Sequence, residues 1–429
     1  MGGVGMKRFL SVLVLLVFMV GLGITANAAD SSGKITIWCW DPNFNVAIME
    51  EAAERYSKAN PNVEFEIVSM AKADVEQKLN TILASGVKKG LPEIVLIEDY
   101  NAKKYLESYP KSFADLTSYF NWEEFADYKL GFMTLKNKVY GIPFDSGVTG
   151  WFYRRDYFQE AGINVQDLNE ITMTEFIELG KKVKEETGKY MIGADPYDGG
   201  LMRILLQSAG TWYFDENGEP NIANNPALYE AVRIYKELYD SKIGKEVSGW
   251  NEWVASFNEG EVASVITGAW IIGSIKAETT QEGKWGVLPI PRLDVPGSVN
   301  ASNLGGSSWY ILENSEYKDL AIDFMKEIYA NDVDFYQTIL YERGAIGTWL
   351  PAQTGEAYVK RDPFFGNQRI YLDFSEWMTM IPSIDYGLFT YEADAAIMGV
   401  MPDVYNGNLT IEEALKKAED QFKNVVGFF

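Results

Sequence analysis

The sequence predicts an α/β fold in which mostly parallel sheets are covered by helices. The first observation is that strand and helix patterns alternate from residue 34 to residue 97. The second is the length of 429 residues, which exceeds what one core supports and indicates two or three units. The third is the lack of a Pro- or Ser-rich linker, which favours a chain that crosses between its units several times.

The N-terminal elements establish this alternation. Residues 34–39 and 63–67 alternate as strands, while 49–56 and 75–83 carry apolar side chains at helical spacing. Residues 93–97 form a short run typical of a buried strand. A β-α-β-α-β order predicts a parallel sheet whose ligands lie outside the carboxyl ends of its strands.

The rest of the chain continues the mixture of helices and strands. Helical spacing predicts helices over residues 174–186, 226–239, 317–330 and 411–426. These helices occur among strand-like runs, namely KVYGIPF, VASVITG and GKWGVLPI. Strands therefore recur in the second half of the chain without a boundary that separates one domain from the next.

Residues 1–28 have the composition of a secretory leader. Lys7 and Arg8 precede the apolar run FLSVLVLLVFMVGLGI, which ends in Ala26-Asn27-Ala28, a small-x-small cleavage pattern. The run is shorter than the ~20 residues of a membrane-spanning helix. We expect export to the periplasm or the extracellular space, with a soluble mature chain and no cysteine placed for a lipid anchor.

Composition excludes several classes of function. The 61 acidic residues outnumber the 38 basic ones, and the formal charge of −23 disfavours nucleic acid as a partner. The chain has no histidine, which removes Ser-His-Asp and Cys-His nucleophilic systems and the usual zinc ligand sets. The acidic segment FDENGEPNI is more simply a tight turn than a metal loop. We therefore predict no metal and no cofactor.

Rings and carboxylates follow two of the predicted strands. Trp40 and Asp41 come after the first strand, and Glu98 and Asp99 come after the third. Because ligands of open α/β sheets bind at these strand ends, all four are candidate binding residues. The alternatives are core packing for the ring and a solvated loop for each carboxylate. Cys39, the single cysteine, is expected to be a buried apolar residue.

Four blocks of the sequence resemble the family 1 extracellular solute-binding proteins of ABC importers, which are similar to maltose-binding-type proteins. They are residues 35–67, 138–163 and 205–238, together with the block FNEGEVASVITGAWIIGSIK through GKWGVLPIP and NLGGSSWYIL. Their order spans nearly the whole chain after the leader. No block is a catalytic signature, so the resemblance implies a binding protein and not an enzyme.

The resemblance implies two α/β lobes joined by a hinge of several crossing segments, with a sugar or oligosaccharide held in the cleft between them. Lobe one would comprise residues 29–144 and 291–331, and lobe two residues 145–288 and 332–429. The protein would act as a monomer and deliver its carbohydrate ligand to the membrane permease of an ABC importer.

The resemblance also implies where the sugar binds. Aromatic rings cover the apolar faces of a pyranose, while carboxylates and amides pair with its hydroxyls. Trp270, which ends the strand-like run VASVITGA, is the leading candidate for a stacking ring, and its alternative is a core position. Besides Trp270 and the four residues at the strand ends, the candidates are Asp145, Asp195, Tyr197, Trp212, Gly305, Gly306, Trp349 and Tyr386.

An exported glycoside hydrolase or lyase that uses carboxylates is the alternative from another class. It requires two carboxylates facing a scissile bond, and the sequence offers Glu98 with Asp145 or Asp195 with Glu392. The identity and length of the sugar stay open. An acidic sugar would call for an arginine clamp, which Arg154, Arg203 or Arg343 would supply.

Overall fold

The protein is described by a computed structural model that covers residues 32–427. The predicted leader, residues 1–28, lies outside the described residues. The strands are β1 (Gly33–Cys39), β2 (Val63–Ser69), β3 (Ile94–Glu98), β4 (Thr134–Leu135), β5 (Lys138–Val139), β6 (Gly141–Pro143), β7 (Thr149–Arg154), β8 (Ile192–Ala194), β9 (Gly244–Glu246), β10 (Ser264–Gly268), β11 (Trp285–Leu288) and β12 (Ser307–Ile311).

The helices lie in the connections between these strands and, from α11 onward, after the last strand. They are α1 (Ala47–Ala59), α2 (Lys72–Ser85), α3 (Asp99–Ser108), α4 (Asp127–Met133), α5 (Arg155–Glu160), α6 (Met173–Thr187), α7 (Gly200–Ser208), α8 (Pro226–Ser241), α9 (Gly249–Asn258), α10 (Ile272–Lys276), α11 (Lys318–Tyr329), α12 (Val333–Arg343), α13 (Glu356–Val359), α14 (Ile370–Met378), α15 (Thr390–Tyr405) and α16 (Ile411–Val426). The four helices predicted from spacing in the rest of the chain correspond to α6, α8, α11 and α16.

Local sequence sets where several helices begin. Helix α6 starts at a capping box in which Thr172 and Glu175 bind each other's backbone N–H groups, and Thr410 and Glu413 start α16 in the same way. The side chain of Asn225 accepts hydrogen bonds at the start of α8. These caps satisfy N–H groups that have no partner within the helix.

The first sheet has the strand order β2-β1-β3-β12-β6. Its first three strands are parallel, which confirms the predicted β-α-β-α-β order, whereas β12 is antiparallel to both β3 and β6. Strand β12 enters the sheet from far along the chain and pairs Ser307 with Glu98. The carboxyl end of β3 therefore lies beside the amino end of β12.

The second sheet differs from the predicted mostly parallel arrangement. Its strand order is β10-β7-β11, and both pairings are antiparallel. The expectation of a mostly parallel sheet was therefore wrong for this part of the molecule. The reason is that β7 is buried along its whole length, and a fully buried run carries no pattern that distinguishes a parallel from an antiparallel neighbour.

The side chains of β1 alternate between the two faces of the first sheet. Ile35, Ile37 and Cys39 pack with α1, α11 and α12, whereas Trp38 packs with α2 and α3 on the opposite face. A separate core surrounds the second sheet and includes Trp151 and Trp285. We call each sheet, with the elements packed around it, the first lobe and the second lobe.

Core membership changes at several places along the chain. Phe144 packs in the first lobe and Val148 in the second, and Ala301 packs in the second and Trp309 in the first. Residues 339–358 alternate between the two cores. Residues 293–301 thus pack with the second lobe and residues 335–336 with the first, whereas the boundaries predicted from crossings matched to the family place each in the other lobe. The predicted boundaries stay a prediction.

Candidate ligand-binding interface between the lobes

A buried ion pair lies where β3 ends. The Lys129 ammonium in α4 donates to Asp99 Oδ2, and Ser308 Oγ donates to the other carboxylate oxygen at 2.9 Å. Both charged side chains are fully buried. Burial raises the pKa of Asp99 to about 6, although Lys129 acts in the opposite direction. Lys129 and Ser308 therefore occupy both carboxylate oxygens of Asp99, a predicted binding residue, inside the protein.

Lys129 also connects two segments that cross between the lobes. Its ammonium donates to the backbone oxygens of Asp145 at 2.8 Å and of Ser307 at 3.1 Å. Asp145 Oδ1 accepts from the backbone N–H of Ser307 at 2.7 Å, which joins the same two segments again. Burial raises the pKa of Asp145. The predicted site residue Asp145 thus links the two crossing segments through its backbone and side-chain oxygens.

Gly305 and Gly306 lie in the second of these segments, with φ of 82° and 97°. A Cβ at Gly306 would lie 3.0 Å from Asp99 Oδ2 and 3.2 Å from the Asp145 backbone oxygen. The left-handed backbone and this close approach both require glycine. At Gly306 the groups that crowd the backbone belong to the protein, so its predicted approach to a ligand stays a prediction.

A cluster of buried aromatic rings joins the two lobes. Tyr100, at the start of α3, stacks on Trp212 with ring centroids 5.9 Å apart and an interplanar angle of 16°. Tyr386 lies 4.6 Å from Tyr100 and stacks on Phe132 at 4.1 Å. The predicted site residues Trp212 and Tyr386 are therefore covered by first-lobe rings.

The ring N–H of Trp212 and the hydroxyl of Tyr386 donate hydrogen bonds to residues of the second lobe. Trp212 Nε1 donates to Thr390 Oγ1 at 3.0 Å, and the Tyr386 hydroxyl donates to Gln207 Oε1 at 2.8 Å. Buried aromatic N–H and O–H groups usually find such partners. Their hydrogen bonds fix the ring positions without any ligand.

Exposed rings lie next to this cluster in the second lobe. Trp270 is 39% exposed, and Trp250 is 53% exposed with its ring centroid 5.9 Å away. The ring centroid of Trp253 lies 6.4 Å from that of Trp270 and 5.4 Å from that of Trp250, so the three rings form one group. Trp270 Nε1 donates to the Leu304 backbone oxygen at 2.9 Å, which places this tryptophan group beside the crossing segment that contains Gly305.

Asp195 links the loop that carries Tyr197 to the start of α9. Its two carboxylate oxygens accept from the backbone N–H groups of Tyr197 and Gly249, each at 2.9 Å. Tyr197 is 68% exposed. Sequence reasoning missed Trp250 and Trp253, although their spacing of three residues on one helix was a usable signal.

The remaining predicted residues are spread over the first lobe. Trp40 is half-buried against both faces of the sheet, and Asp41 caps the following turn by accepting from the N–H groups of Asn43 and Phe44. Trp349 is buried in the first-lobe core, and its Nε1 donates to Glu124 at 3.2 Å. The structure does not bring these three residues into contact with the tryptophan group.

Glu98 contacts the second lobe directly. Its carboxylate accepts from the Tyr391 hydroxyl at 2.7 Å and also pairs with Lys72. Two further ion pairs cross between the lobes nearby, Lys103 with Asp385 and Lys104 with Glu392, the second at 3.1 Å. The lobes are therefore held together by charged contacts at the rim and by rings in the interior.

The carboxylate pairs of the hydrolase alternative are engaged in structural contacts. Asp145 and Asp195 accept from backbone N–H groups, and Glu392 pairs with Lys104. Among residues 32–427 no group of acidic residues or Cys39 is arranged to hold a metal ion. Within the same range no helix is long and apolar enough to cross a membrane.

Two α/β lobes, joined by several crossing segments and meeting at a face that carries exposed tryptophans, define the class of two-lobed ligand-binding proteins. The sequence profile of bacterial extracellular solute-binding proteins matches residues 51–363. The chain is 51% identical to the lactose-binding protein of Rhizobium radiobacter over 403 residues, covering 94% of this chain and 95% of that protein. The chain belongs to the bacterial extracellular solute-binding proteins.

Other relatives agree with this assignment. The arabinooligosaccharide-binding protein of Bacillus subtilis (strain 168) is 25% identical over 336 residues, which cover 75% of this chain and 76% of the relative. The solved structure of the sugar-binding protein MalE from Xanthomonas citri superimposes with a TM-score of 0.77 at 17% identity, covering 92% and 98% of the two chains. At that identity the likeness shows the two-lobed fold, which confirms the predicted architecture.

Proposed function

We propose that the protein binds an uncharged sugar or short oligosaccharide between its lobes and delivers it to the membrane permease of an ABC importer. The observation that carries this proposal is the group of Trp250, Trp253 and Trp270 beside the crossing segment at Gly305, in which Trp250 and Trp270 are exposed and Trp253 is half-buried. Exposed rings at the meeting face of two lobes suit the apolar faces of pyranose rings. Lactose is the first ligand to test because the relative that is 51% identical is a lactose-binding protein.

The ring contacts between the lobes support a mechanism in which ligand favours closure. The lobes touch through Tyr100, Trp212 and Tyr386, while the crossing segments remain the covalent links. A ligand shifts such an equilibrium by its difference in affinity for the open and closed states. We infer that the protein acts as a monomer outside the cytoplasm after removal of the leader.

Melting measurements with a panel of sugars test the proposed function. The panel contains lactose, glucose, maltose and arabino-oligosaccharides. A bound sugar at ~100 times its dissociation constant stabilises the folded state by about 2.7 kcal/mol and raises the melting temperature. Chromatography of each incubated sugar should recover it unchanged. Enzyme-like release of smaller sugars would favour the hydrolase instead, and the absence of any shift across the panel would contradict sugar binding.

A variant of Trp270 tests the platform role. Trp270→Ala should weaken sugar binding by about 1–3 kcal/mol in calorimetry, because it removes an aromatic contact from the binding face. Tyr341→Ala is a matched control, since Tyr341 is an exposed aromatic residue whose ring lies beneath the Lys360 ammonium. Equal affinity of both variants and the parent would remove Trp270 from the site.

A further inference from the structure

The guanidinium of Arg203 is incompletely paired although it is buried. Arg203 lies in α7, its side chain is 12% exposed, and its Nε–H has no hydrogen-bond partner. Asp394 Oδ2 lies 3.8 Å from Nε, which is beyond hydrogen-bonding distance. The other Asp394 oxygen accepts from the Tyr213 hydroxyl at 2.7 Å. A donor and an acceptor thus face each other across a gap.

Other arginines of the second lobe do not share this property. Arg154 donates to both carboxylate oxygens of Asp156 at 2.9 and 2.7 Å, and Arg233 donates to both oxygens of Glu230. A buried donor without an acceptor disfavours the folded state, so it points to a role with another molecule. Within residues 32–427, Arg203 supplies the one charged group among the buried side-chain atoms without a partner.

Arg203 also lies at the interface between the lobes. Its guanidinium carbon is 5.3 Å from the ring centre of Tyr100 and 5.6 Å from that of Tyr391. Tyr100 belongs to the first lobe, whereas Tyr391 and Asp394 both lie on α15 of the second lobe. When the lobes separate, Tyr100 leaves with the first lobe and uncovers one side of the guanidinium.

We propose that Arg203 and Asp394 together bind one hydroxyl group of the sugar. The Arg203 Nε–H donates to the hydroxyl oxygen, and the hydroxyl hydrogen is donated to Asp394 Oδ2. Two hydrogen bonds of ordinary length, roughly 2.7–3.0 Å, close a triangle over a base of 3.8 Å. This inference rests on the proposed function and assigns two residues that determine which sugar is bound.

The charges of the pair indicate an uncharged ligand group. The positive charge of Arg203 is balanced by the negative charge of Asp394. The carboxylate of Glu98 accepts a hydrogen bond from the hydroxyl of Tyr391, whose ring also contacts Arg203. A ligand carboxylate at this position would meet like charge from Asp394. The pair therefore selects a hydroxyl over a uronate, in contrast to the clamp for acidic sugars that the sequence suggested for Arg203.

Calorimetry with lactose on matched variants tests the pair. Arg203→Lys and Asp394→Asn should each lower the affinity for lactose at least tenfold. The double variant should be about as weak as the weaker single variant, because one hydroxyl serves both residues. Arg233→Lys is the control and should bind within twofold of the parent. If Arg203→Lys and Asp394→Asn also bind within twofold, or if their losses multiply in the double variant, the shared hydroxyl is excluded.

A measurement on the wild-type protein observes Arg203 directly and uses a variant only to assign its signal. The Nε–H signal of Arg203 in nitrogen-edited NMR, assigned by its loss in Arg203→Lys or Arg203→Gln, should shift and exchange more slowly with saturating lactose. An unchanged signal while calorimetry detects lactose binding overturns this inference and leaves the proposed function standing. Failure of every panel sugar to bind overturns both.

Discussion

Replacing Lys129 by methionine should reveal how strongly the crossing segments depend on one buried ammonium group. Lys129 donates to Asp99 and to the backbone oxygens of Asp145 and Ser307. Methionine keeps most of the apolar volume but removes all three donors. Breaking a buried ion pair by removing one partner costs about 3–5 kcal/mol, and each backbone oxygen that loses its donor adds up to about 1 kcal/mol.

The protonation of Asp99 changes this penalty with pH. Burial raises the pKa of Asp99 to about 6 even beside Lys129, and without the ammonium it rises further. The variant therefore keeps a protonated Asp99 to higher pH than the parent does. Above pH 6 its stability should fall relative to the parent by up to ~1.4 kcal/mol per pH unit until its own carboxyl ionises.

Urea unfolding followed by circular dichroism at pH 5.5 and pH 8 measures both effects. Lys58→Met is the control, because Lys58 forms only an exposed ion pair with Glu54 and should change stability by less than ~1 kcal/mol. The double variant with Asp99→Asn should recover much of the loss, since it removes the carboxylate that lost its partner. A Lys129→Met penalty below 1 kcal/mol, or one that does not grow with pH, would refute the reasoning.

Three further outcomes follow from burial. Asp99→Asn should abolish a decline in stability of about 2 kcal/mol between pH 4 and 6, because a carboxyl whose folded pKa is raised from 3.8 to about 6 binds its proton more tightly when folded; parallel urea titrations of parent and variant check this, and identical slopes would contradict it. Trp349→Ala should lower the free energy of unfolding by about 3–5 kcal/mol with sugar affinity unchanged, whereas lost affinity at normal stability would restore its predicted role in the site. Cys39 should react with a thiol reagent only after denaturation, since burial raises its pKa to about 12; rapid labelling of the native protein would contradict its burial.

Local patterns predicted the elements whose neighbours are close in sequence. The observed α8 and α16 begin at the predicted residues, because Pro226 and Ile411 follow side chains that cap a helix. The position of β12 was not predictable, since its five residues are all buried and its partner strand β3 lies about 200 residues earlier. A fully buried run contains no alternation from which to infer direction or neighbour.

The candidate site was predictable in residue type but not in exposure. Tryptophans and tyrosines were identified as sugar platforms, yet Trp212 is covered by Tyr100 of the other lobe while Trp270 remains exposed. That difference depends on how the lobes meet, which no local pattern contains. The Arg203–Asp394 pair is hidden from sequence for the same reason, since its members lie on α7 and α15.

The late arrival of β12 in the first sheet has a consequence for folding during synthesis. Strand β3 obtains its second neighbour only from residues 307–311, and Ser308 bonds Asp99 across 209 residues of sequence. A chain that emerges from its N-terminus first must therefore keep one edge of β3 unpaired until about three-quarters of the protein has been made. Pairing strands so far apart in sequence slows folding, because the intervening chain loses conformational entropy before the β3–β12 hydrogen bonds stabilise it.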